Sequence, residues 1–276
     1  MVLQAAFLFP YFSFAMQEDA LDRLELLTGA EAVARLKRAS FLVCGLGGVG
    51  SWAAEALVRC GAGTVLLADC DTVRPSNLNR QAEALHSTLG LAKCDALADR
   101  LRDIRPDAEI LLRRERIAPE DIPALLEARP WDAVIDAIDD RAAKLALLEE
   151  CVRRGLRVIS SMGAANKVHP ERLTVCDLSE TQGCPLARMM RKNLRKRGIE
   201  RGVICVYSPE PPVLHPDGER ERPSERRPLG SLVTVTAAFG LRCAHLAIAP
   251  LLRLDNLPCK GHDIADGDLT FSKEMS

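Results

Sequence analysis

The sequence predicts an α/β protein with a doubly wound, mostly parallel sheet that antiparallel strands extend in its second half. Between residues 40 and 161, short apolar runs alternate with helix-like segments. A glycine-rich run at 45–50 follows the first apolar run directly. Beyond residue 161 the regular alternation ends, which indicates strands with a different pairing.

Each element follows from a local pattern of side chains. Leu21, Leu24 and Leu27 recur at helical spacing, and Thr28-Gly29 interrupts that region, which predicts two helices within 18–38. Strands are predicted at 40–44, 64–68, 108–112, 133–137, 157–161, 173–177 and 202–208. Helices are predicted at 51–60, 92–104, 119–128 and 141–154, in a basic segment at 188–201, and in an apolar segment at 231–253.

The composition excludes disordered and fibrous classes of protein. The 276 residues are 47% hydrophobic and 27% charged, as is typical of a folded globular chain. The net charge of -1 predicts no polyanion partner for the surface as a whole. Any contact with nucleic acid must therefore come from a local basic patch.

The chain has ten cysteines, and none of them forms a C-x-x-C pair. This spacing excludes a structural zinc ion held by four thiolates. Six cysteines lie in apolar, strand-like or helix-like segments: Cys44, Cys60, Cys70, Cys151, Cys205 and Cys243. We interpret them as reduced, buried thiols, which favours a cytoplasmic protein.

A single domain is predicted over 16–255, with a proline-rich, charged loop at 209–230 and a C-terminal tail at 256–276. Residues 1–15 are apolar and aromatic but too short to span a bilayer, so no integral membrane span is expected. Met16 opens an acidic, helix-like segment. We expect 1–15 to be disordered or to precede the true translation start; a weak membrane-surface anchor is the alternative.

The glycine run predicts a nucleotide-phosphate site. Gly45, Gly47 and Gly50 form G-x-G-x-x-G between a strand and a helix, with Gly48 inside the motif. Glycines allow the backbone to approach a phosphate closely, and the N-terminus of the next helix favours negative charge. Asp69 ends the second strand, where a carboxylate can accept ribose hydroxyls. This Rossmann-like arrangement fits a dinucleotide dehydrogenase as well as an ATP enzyme.

Fixed charges after Asp69 favour ATP. Arg80 offers a planar fork of donors, Lys93 offers a point charge, and Asp139 follows a later strand of the same sheet. A triphosphate needs neutralisation before a carboxylate can attack its α-phosphorus, whereas a redox cofactor does not. Alone, Arg80 and Lys93 could be solvated surface charges and Asp139 a helix cap; together they favour catalysis on ATP.

Four segments carry a family resemblance: GLGGVGSWAAEALVRCGAG, LADCDTVRPSNLNRQ, GLAKCDALADRLRDIRPDA and VIDAIDDRAAKLALLEEC. They resemble the ThiF/MoeB/ubiquitin-activating-enzyme superfamily, whose members bind ATP and Mg²⁺ and adenylate a carboxylate. The resemblance implies that Asp69 holds the ribose, that the phosphates are contacted by Asn77, Arg80, Gln81 and Lys93, and that Asp139 holds magnesium.

Arg23 has the position of an arginine that reaches the partner subunit's ATP site in this superfamily, which implies a homodimer. The arginine that usually precedes it is replaced by Ala20. An ordinary surface residue on an amphipathic helix is the alternative for Arg23.

The second half resembles one branch of the superfamily. LNRQAEALHSTLGLAK, VISSMGAANKVHPERLTVCDLSETQGCPLARMMRKNLRKRGI and VICVYSPEPP are similar to the tRNA threonylcarbamoyladenosine dehydratases. These enzymes cyclise the modified base at position 37 of tRNA, using ATP, with loss of water. Because ring closure is intramolecular, we expect no essential cysteine, with Cys184 and Cys205 as the candidates for an exception. An adenylator of a ubiquitin-like or sulfur-carrier protein, a scaffold and a dehydrogenase remain alternatives.

The basic segment is the predicted tRNA contact. Helical spacing places Arg188, Arg191, Lys192 and Arg195 along one face, where phosphate contacts would not depend on sequence. An ordinary solvated helix is the alternative. Asn166 and Lys167 are expected on the substrate side of the crevice. A sulfur-transfer partner and a monovalent-ion site are left open.

Overall fold

The computed structural model describes residues 19–213 and 229–253. The expectations for 1–15, for most of the loop at 209–230 and for the tail at 256–276 lie outside the described residues. Within the described part, residues 209–213 and 229–230 have no helix or strand.

Seven strands form one sheet: β1 Ser40–Cys44, β2 Thr64–Ala68, β3 Glu109–Arg113, β4 Ala133–Asp136, β5 Val158–Ser161, β6 Thr174–Asp177 and β7 Ile204–Tyr207. Their order across the sheet is β3-β2-β1-β4-β5-β7-β6. Every neighbouring pair is parallel except β6 and β7, which are antiparallel. The predicted fold class is therefore confirmed, including the antiparallel extension in the second half.

Eight α-helices accompany the strands in the described residues: α1 Asp22–Thr28, α2 Ala30–Leu36, α3 Gly50–Arg59, α4 Lys93–Ile104, α5 Ile122–Glu127, α6 Arg141–Arg153, α7 Pro185–Arg195 and α8 Val233–Leu252. The helix predicted at 119–128 is instead a 3₁₀ turn, Pro119–Asp121, followed by α5. Pro123 lacks the N–H that would bond back to residue 119 and continue one helix through this region.

The hydrophobic core lies on both faces of the sheet. Alternate side chains of a strand point to opposite faces. Phe41 and Val43 of β1 pack in the cluster that includes Phe239 of α8, whereas Leu42 and Cys44 pack in the cluster that includes Leu147 of α6. Burial of β1 on both sides explains its continuous apolar sequence and confirms the doubly wound arrangement.

Helix α8 is long and apolar enough to cross a membrane by length and composition, and half of its most apolar stretch is buried in the protein. Phe239 and Cys243 are fully buried in the core, and Leu241 is exposed. Arg35 and Arg157 donate side-chain hydrogen bonds to the carbonyls of Leu251 and Leu246 near its C-terminal end. We therefore interpret α8 as a core helix that packs on the sheet.

Candidate nucleotide-binding and catalytic site

The glycine loop, Asp69 and Asp139 follow three strands that lie side by side where the strand order reverses. Strand β1 lies between β2, which follows it in sequence, and β4, which comes later. In open α/β sheets, ligands bind where the strand order reverses in this way, just beyond the carboxyl ends of the strands. Hydrogen bonds of 2.8 Å from Gly45 N to Ala68 O and from Ala137 N to Cys44 O join the loops that follow β1, β2 and β4.

The glycine loop closes tightly on the N-terminus of α3. Gly45 has a φ of +86°, and a Cβ there would lie 2.6 Å from the carbonyl oxygen of Ala137. A Cβ on Gly50 would lie 1.8 Å from the carbonyl oxygen of Gly45. Gly47 is more open, with Gln81 Nε2 4.0 Å from the position of a Cβ. The sharp turn thus leaves space above its centre, as a phosphate site requires.

Asp69 links the glycine loop to the segment after β2. Its Oδ2 accepts a hydrogen bond from Leu46 N at 2.6 Å, and its Oδ1 accepts one from Asp71 N at 2.7 Å. Each carboxylate oxygen has a second lone pair, so the two bonds leave acceptor capacity for ribose hydroxyls. The backbone contacts fix the carboxylate at the carboxyl end of β2.

Lys93 begins α4 and lies beside the same carboxylate. Its side chain is 6% exposed, and its Nζ lies 2.9 Å from Asp71 Oδ2 and 3.9 Å from Asp69 Oδ2. Asp71 is far more exposed than Lys93. A buried ammonium whose main partner faces solvent can exchange that partner for a phosphate at modest cost.

Arg80 lies over the glycine loop. A Cβ on Gly48 would be 3.1 Å from Arg80 Cγ, and Trp52 Nε1 donates a 2.9 Å hydrogen bond to the carbonyl oxygen of Arg80. The guanidinium donates through Nη1 to Ser76 O at 2.7 Å and to Asn79 Oδ1 at 3.0 Å. Nε and Nη2 of Arg80 make no hydrogen bond to the described chain, so these two nitrogens remain available as donors to a ligand.

Asn77 and Gln81 are both buried beside Arg80. Asn77 Oδ1 accepts a 2.9 Å hydrogen bond from Arg74 N, so this amide shapes the turn that precedes Arg80. Gln81 Oε1 is buried and has no hydrogen-bond partner among the described residues. Gln81 is therefore the better placed of the two amides to contact a ligand near Gly47.

Asp139 lies in the loop between β4 and α6, on the other side of the crevice. Its side chain is exposed and makes no hydrogen bond or ion pair to the described chain. The cap of α6 is instead Asp140, whose Oδ1 accepts from Ala142 N and Ala143 N. The helix-cap alternative for Asp139 is thus wrong, and the carboxylate is free to contact a ligand.

Sequence reasoning missed a buried ion pair beneath Asp139. Lys144 Nζ lies 2.8 Å from Asp136 Oδ2, and the two side chains are 1% and 0% exposed. The ammonium also donates to Ser161 O at 2.8 Å and to Ile138 O at 3.3 Å, and Ser160 Oγ donates to Asp136 Oδ2 at 2.5 Å. These contacts tie the Asp139 loop to the ends of β4 and β5. A lysine in helical register with buried Leu147, Leu148 and Cys151 was the available signal.

Glu83 is a second residue that sequence reasoning missed. Its side chain is 1% exposed, and neither carboxylate oxygen has a hydrogen-bond partner among the described residues. Burial raises the pKa of Glu83 to about 7, against the opposing charge of Lys93. No periodic pattern in the NLNRQAEAL segment identifies this glutamate as buried.

Arg23 lies on α1, near the beginning of the described chain. Its side chain is exposed and makes no ion pair or hydrogen bond to the described residues. On the same helix Leu26 is 80% exposed and Leu27 is 68% exposed. A short helix with two exposed leucines and an unpaired arginine is suited to contact another chain.

Helix α7 presents three of the four predicted tRNA contacts to solvent. Arg188, Lys192 and Arg195 are exposed. Arg191 is turned inward: its Nη1 donates to Thr181 O and Thr181 Oγ1, both at 2.6 Å, and to Leu178 O at 3.3 Å. These bonds hold the turn before α7, so we leave Arg191 out of the basic surface, which consists of Arg188, Lys192 and Arg195.

The cysteines of the described chain are free thiols, and most are buried. Burial raises the pKa of Cys94, Cys151 and Cys243 to about 12, and it raises the pKa of Cys205 further. Such thiols are poor nucleophiles. The prediction that Cys70 is buried was wrong: it is exposed, because the loop after β2 turns outward there. Even so, desolvation and the carboxylates of Asp71 and Asp69 raise its pKa.

Comparisons with known proteins agree with this geometry. The sequence matches the ThiF family over residues 21–269. It is 43% identical over 193 residues to the tRNA threonylcarbamoyladenosine dehydratase of Bacillus subtilis, covering 70% of this chain and 76% of that protein. It is 33% identical over 245 residues to the Escherichia coli protein of the same name, covering 82% of this chain and 91% of that protein.

Solved structures of the E. coli dehydratase have the same fold. Its crystal structure with AMP superimposes with a TM-score of 0.76 at 34% identity, covering 84% of this chain and 93% of that chain. Its complex with ATP gives a TM-score of 0.74 at 32% identity, covering 86% of this chain and 98% of that chain. Its sequence matches the ThiF family and its fold matches these structures, so this chain belongs to the ThiF family.

Proposed function

We propose that this protein uses ATP to dehydrate N6-threonylcarbamoyladenosine at position 37 of tRNA. The observation that carries the proposal is that the glycine loop, Asp69 and Asp139 follow the neighbouring strands β1, β2 and β4, with Arg80 beside Gly48 and Lys93 beside Asp69. Identities of 43% and 33% to dehydratases over most of the chain support the choice of substrate.

The first step is formation of an acyl adenylate. An oxygen of the substrate's threonyl carboxylate attacks the α-phosphorus of ATP, and pyrophosphate leaves. Asp69 accepts the ribose hydroxyls, and the open centre of the glycine loop receives the phosphates. Arg80 and Lys93 neutralise the charge that would repel the incoming carboxylate, aided by the amides of Asn77 and Gln81.

The second step is ring closure. A nitrogen or oxygen of the neighbouring ureido group attacks the activated carbonyl carbon, and AMP leaves with the former carboxylate oxygen. Because nucleophile and electrophile belong to one molecule, a high effective molarity drives the reaction. The raised pKa values of the buried cysteines support a mechanism without a covalent thioester.

Asp139 is the proposed ligand of Mg²⁺. Its exposed carboxylate, with no bond to the described chain, suits an ion that binds through one or two carboxylates and substrate phosphates. When bound, the ion would neutralise phosphate charge. The role of this chain is to hold Asp139 in place through the Lys144 contacts to Ile138 O and Asp136.

A homodimer with shared sites is part of the proposal. Arg23 makes no bond to its own described chain, and the neighbouring Leu26 and Leu27 are exposed. Burial of these leucines between two copies would bring the Arg23 guanidinium of one copy toward the phosphates of the other.

The basic surface of Arg188, Lys192 and Arg195 would contact tRNA phosphates. The enzyme would work in the cytoplasm.

The experiment that tests the function uses tRNA bearing threonylcarbamoyladenosine, ATP and magnesium. After incubation the tRNA is digested to nucleosides and weighed. A loss of about 18 Da, the mass of one water, from the modified nucleoside is expected, and an Asp139→Asn variant should be much slower. Carrier-protein-dependent pyrophosphate exchange without any change in the nucleoside would favour a protein-activating enzyme instead.

A further inference from the structure

The loop after β5 contains a buried lysine that the proposed mechanism does not use. Lys167 is 4% exposed, and its Nζ has no hydrogen-bond partner among the described residues. A buried ammonium without an anion is costly, so such a group calls for a ligand or another explanation. The geometry around Lys167 indicates which ligand.

Backbone contacts hold this loop rigidly on both sides of Lys167. Asn166 has a φ of +56° and exchanges two hydrogen bonds with Gly230, at 2.8 Å and 2.9 Å. On the other side, the buried Glu210 accepts from Val168 N at 3.2 Å and from His169 N at 3.3 Å. Both oxygens of Glu210 are thus engaged by the backbone, and it makes no ion pair with Lys167.

The loop adjoins the phosphate-binding segment through a short series of contacts. Ser231 follows Gly230, and its carbonyl oxygen accepts a 3.1 Å hydrogen bond from Asn79 Nδ2. Asn79 in turn accepts from the Arg80 guanidinium at 3.0 Å. Asn166, next to Lys167, is thus connected to Arg80 through Gly230, Ser231 and Asn79, so the loop of Lys167 adjoins the phosphate-binding segment.

We propose that Lys167 binds the threonyl carboxylate of the substrate and holds it against the α-phosphorus of ATP. The inference rests on the proposed function, which supplies a carboxylate that must enter this crevice. An oxyanion complements a buried ammonium that has no partner in the described chain. ATP phosphate has the same chemistry, but Arg80 and Lys93 already serve it in the proposed mechanism, and the Kd for ATP distinguishes the two ligands.

Two variants test the proposal in the full-length protein. Lys167→Gln should raise the KM for modified tRNA about tenfold or more, the effect of losing one charged hydrogen bond, while the Kd for ATP stays within about twofold. Lys167→Arg should retain part of the activity. Because the ammonium has no partner among residues 19–213 and 229–253, Lys167→Gln should melt no lower than wild type without substrate.

The decisive readout compares two competitors of the tRNA reaction. One is the free nucleoside with its threonyl carboxylate, and the other is the analogue in which an alcohol replaces that carboxylate. Wild type should prefer the carboxylate about tenfold or more, and Lys167→Gln should lose this preference. Lys37→Gln, an exposed lysine at the C-terminal end of α2, is the matched control and should keep it.

Three results would overturn the inference. The first is that Lys167→Gln still prefers the carboxylate nucleoside over the alcohol analogue. The second is that Lys167→Gln loses affinity for ATP but not for modified tRNA. The third is that Lys167→Gln melts at a lower temperature and keeps the preference for the carboxylate. If wild type forms no dehydrated nucleoside, the proposed function fails as a whole. If wild type is active and the preference survives in Lys167→Gln, only the role of Lys167 fails.

Discussion

Replacement of Lys144 by methionine tests how the Asp139 loop is held. Methionine has nearly the length of lysine, so the change removes the charge and the hydrogen bonds with little loss of packing. Asp136 would keep its hydrogen bonds from Ser160 and Ile138 N but lose the one cation that pairs with it among the described residues. The carbonyl oxygens of Ile138 and Ser161 would each lose a donor.

The expected loss of stability follows from complete burial of both partners. Breaking a buried ion pair by removing one member costs about 3–5 kcal/mol, because the other charge is left uncompensated. For a domain of this size, about 2–4 °C per kcal/mol predicts a fall in Tm of roughly 6–20 °C. The loosened loop should also lower the rate of dehydration through Asp139.

Equilibrium unfolding in urea measures the free-energy change, and the dehydration assay at a temperature where the variant is folded measures the rate. Adding Asp136→Asn to Lys144→Met should recover part of the stability, because no buried charge then remains. Lys192→Met, an exposed lysine on α7, should change stability by less than about 0.5 kcal/mol. A cost below about 1 kcal/mol for Lys144→Met would refute the reasoning.

Three further predictions concern other parts of the molecule. Folding raises the pKa of Glu83 from 4.5 to about 7, so the unfolded chain loses this proton at lower pH than the folded protein does. The free energy of unfolding should therefore fall by about 3 kcal/mol as the pH rises from 4.5 to about 7. Glu83→Gln should therefore be more stable than wild type at pH 8 but not near pH 4; equal urea midpoints at pH 8 would contradict this. Arg23→Ala should slow dehydration at least about tenfold without preventing dimerisation, measured by kinetics and sedimentation; normal activity in a dimer would exclude the cross-subunit role. Replacing Arg188, Lys192 and Arg195 by glutamate should weaken tRNA binding and flatten its salt dependence while sparing ATP binding, and unchanged tRNA affinity would make α7 an ordinary surface helix.

Most of the fold could be predicted because its signals are local. The two-sided burial of β1 appears in the sequence as a continuous apolar run, and the glycine run specifies the turn that follows it. The mostly parallel character of the sheet could be predicted because helices alternate with the strands between residues 40 and 161. The separate 3₁₀ turn at Pro119–Asp121 was not predicted. Whether Pro123 interrupts a helix depends on whether the folded chain needs its missing N–H to bond to residue 119.

The sequence could place Asp69 and Asp139 at the carboxyl edge of the sheet, because Asp69 follows β2 directly and Asp139 comes three residues after β4. The buried polar groups were not predictable, because burial of Lys144 or Glu83 depends on tertiary packing that no spacing specifies. Arg191 illustrates the same limit: helical register places it with Arg188 and Arg195, but its guanidinium donates to carbonyls at 178 and 181, in the turn that precedes the helix. Cys70 was misjudged because an apolar strand ends two residues before it.

The central claim is that a substrate carboxylate attacks the α-phosphorus of ATP, and an isotope experiment tests it most directly. Threonylcarbamoyladenosine tRNA labelled with ¹⁸O in both carboxylate oxygens is incubated with the protein, ATP and magnesium, and the released AMP is weighed. Adenylation predicts that one labelled oxygen is transferred to each AMP, which becomes about 2 Da heavier, in proportion to dehydrated nucleoside. Unlabelled AMP, or ADP in its place, would contradict the account.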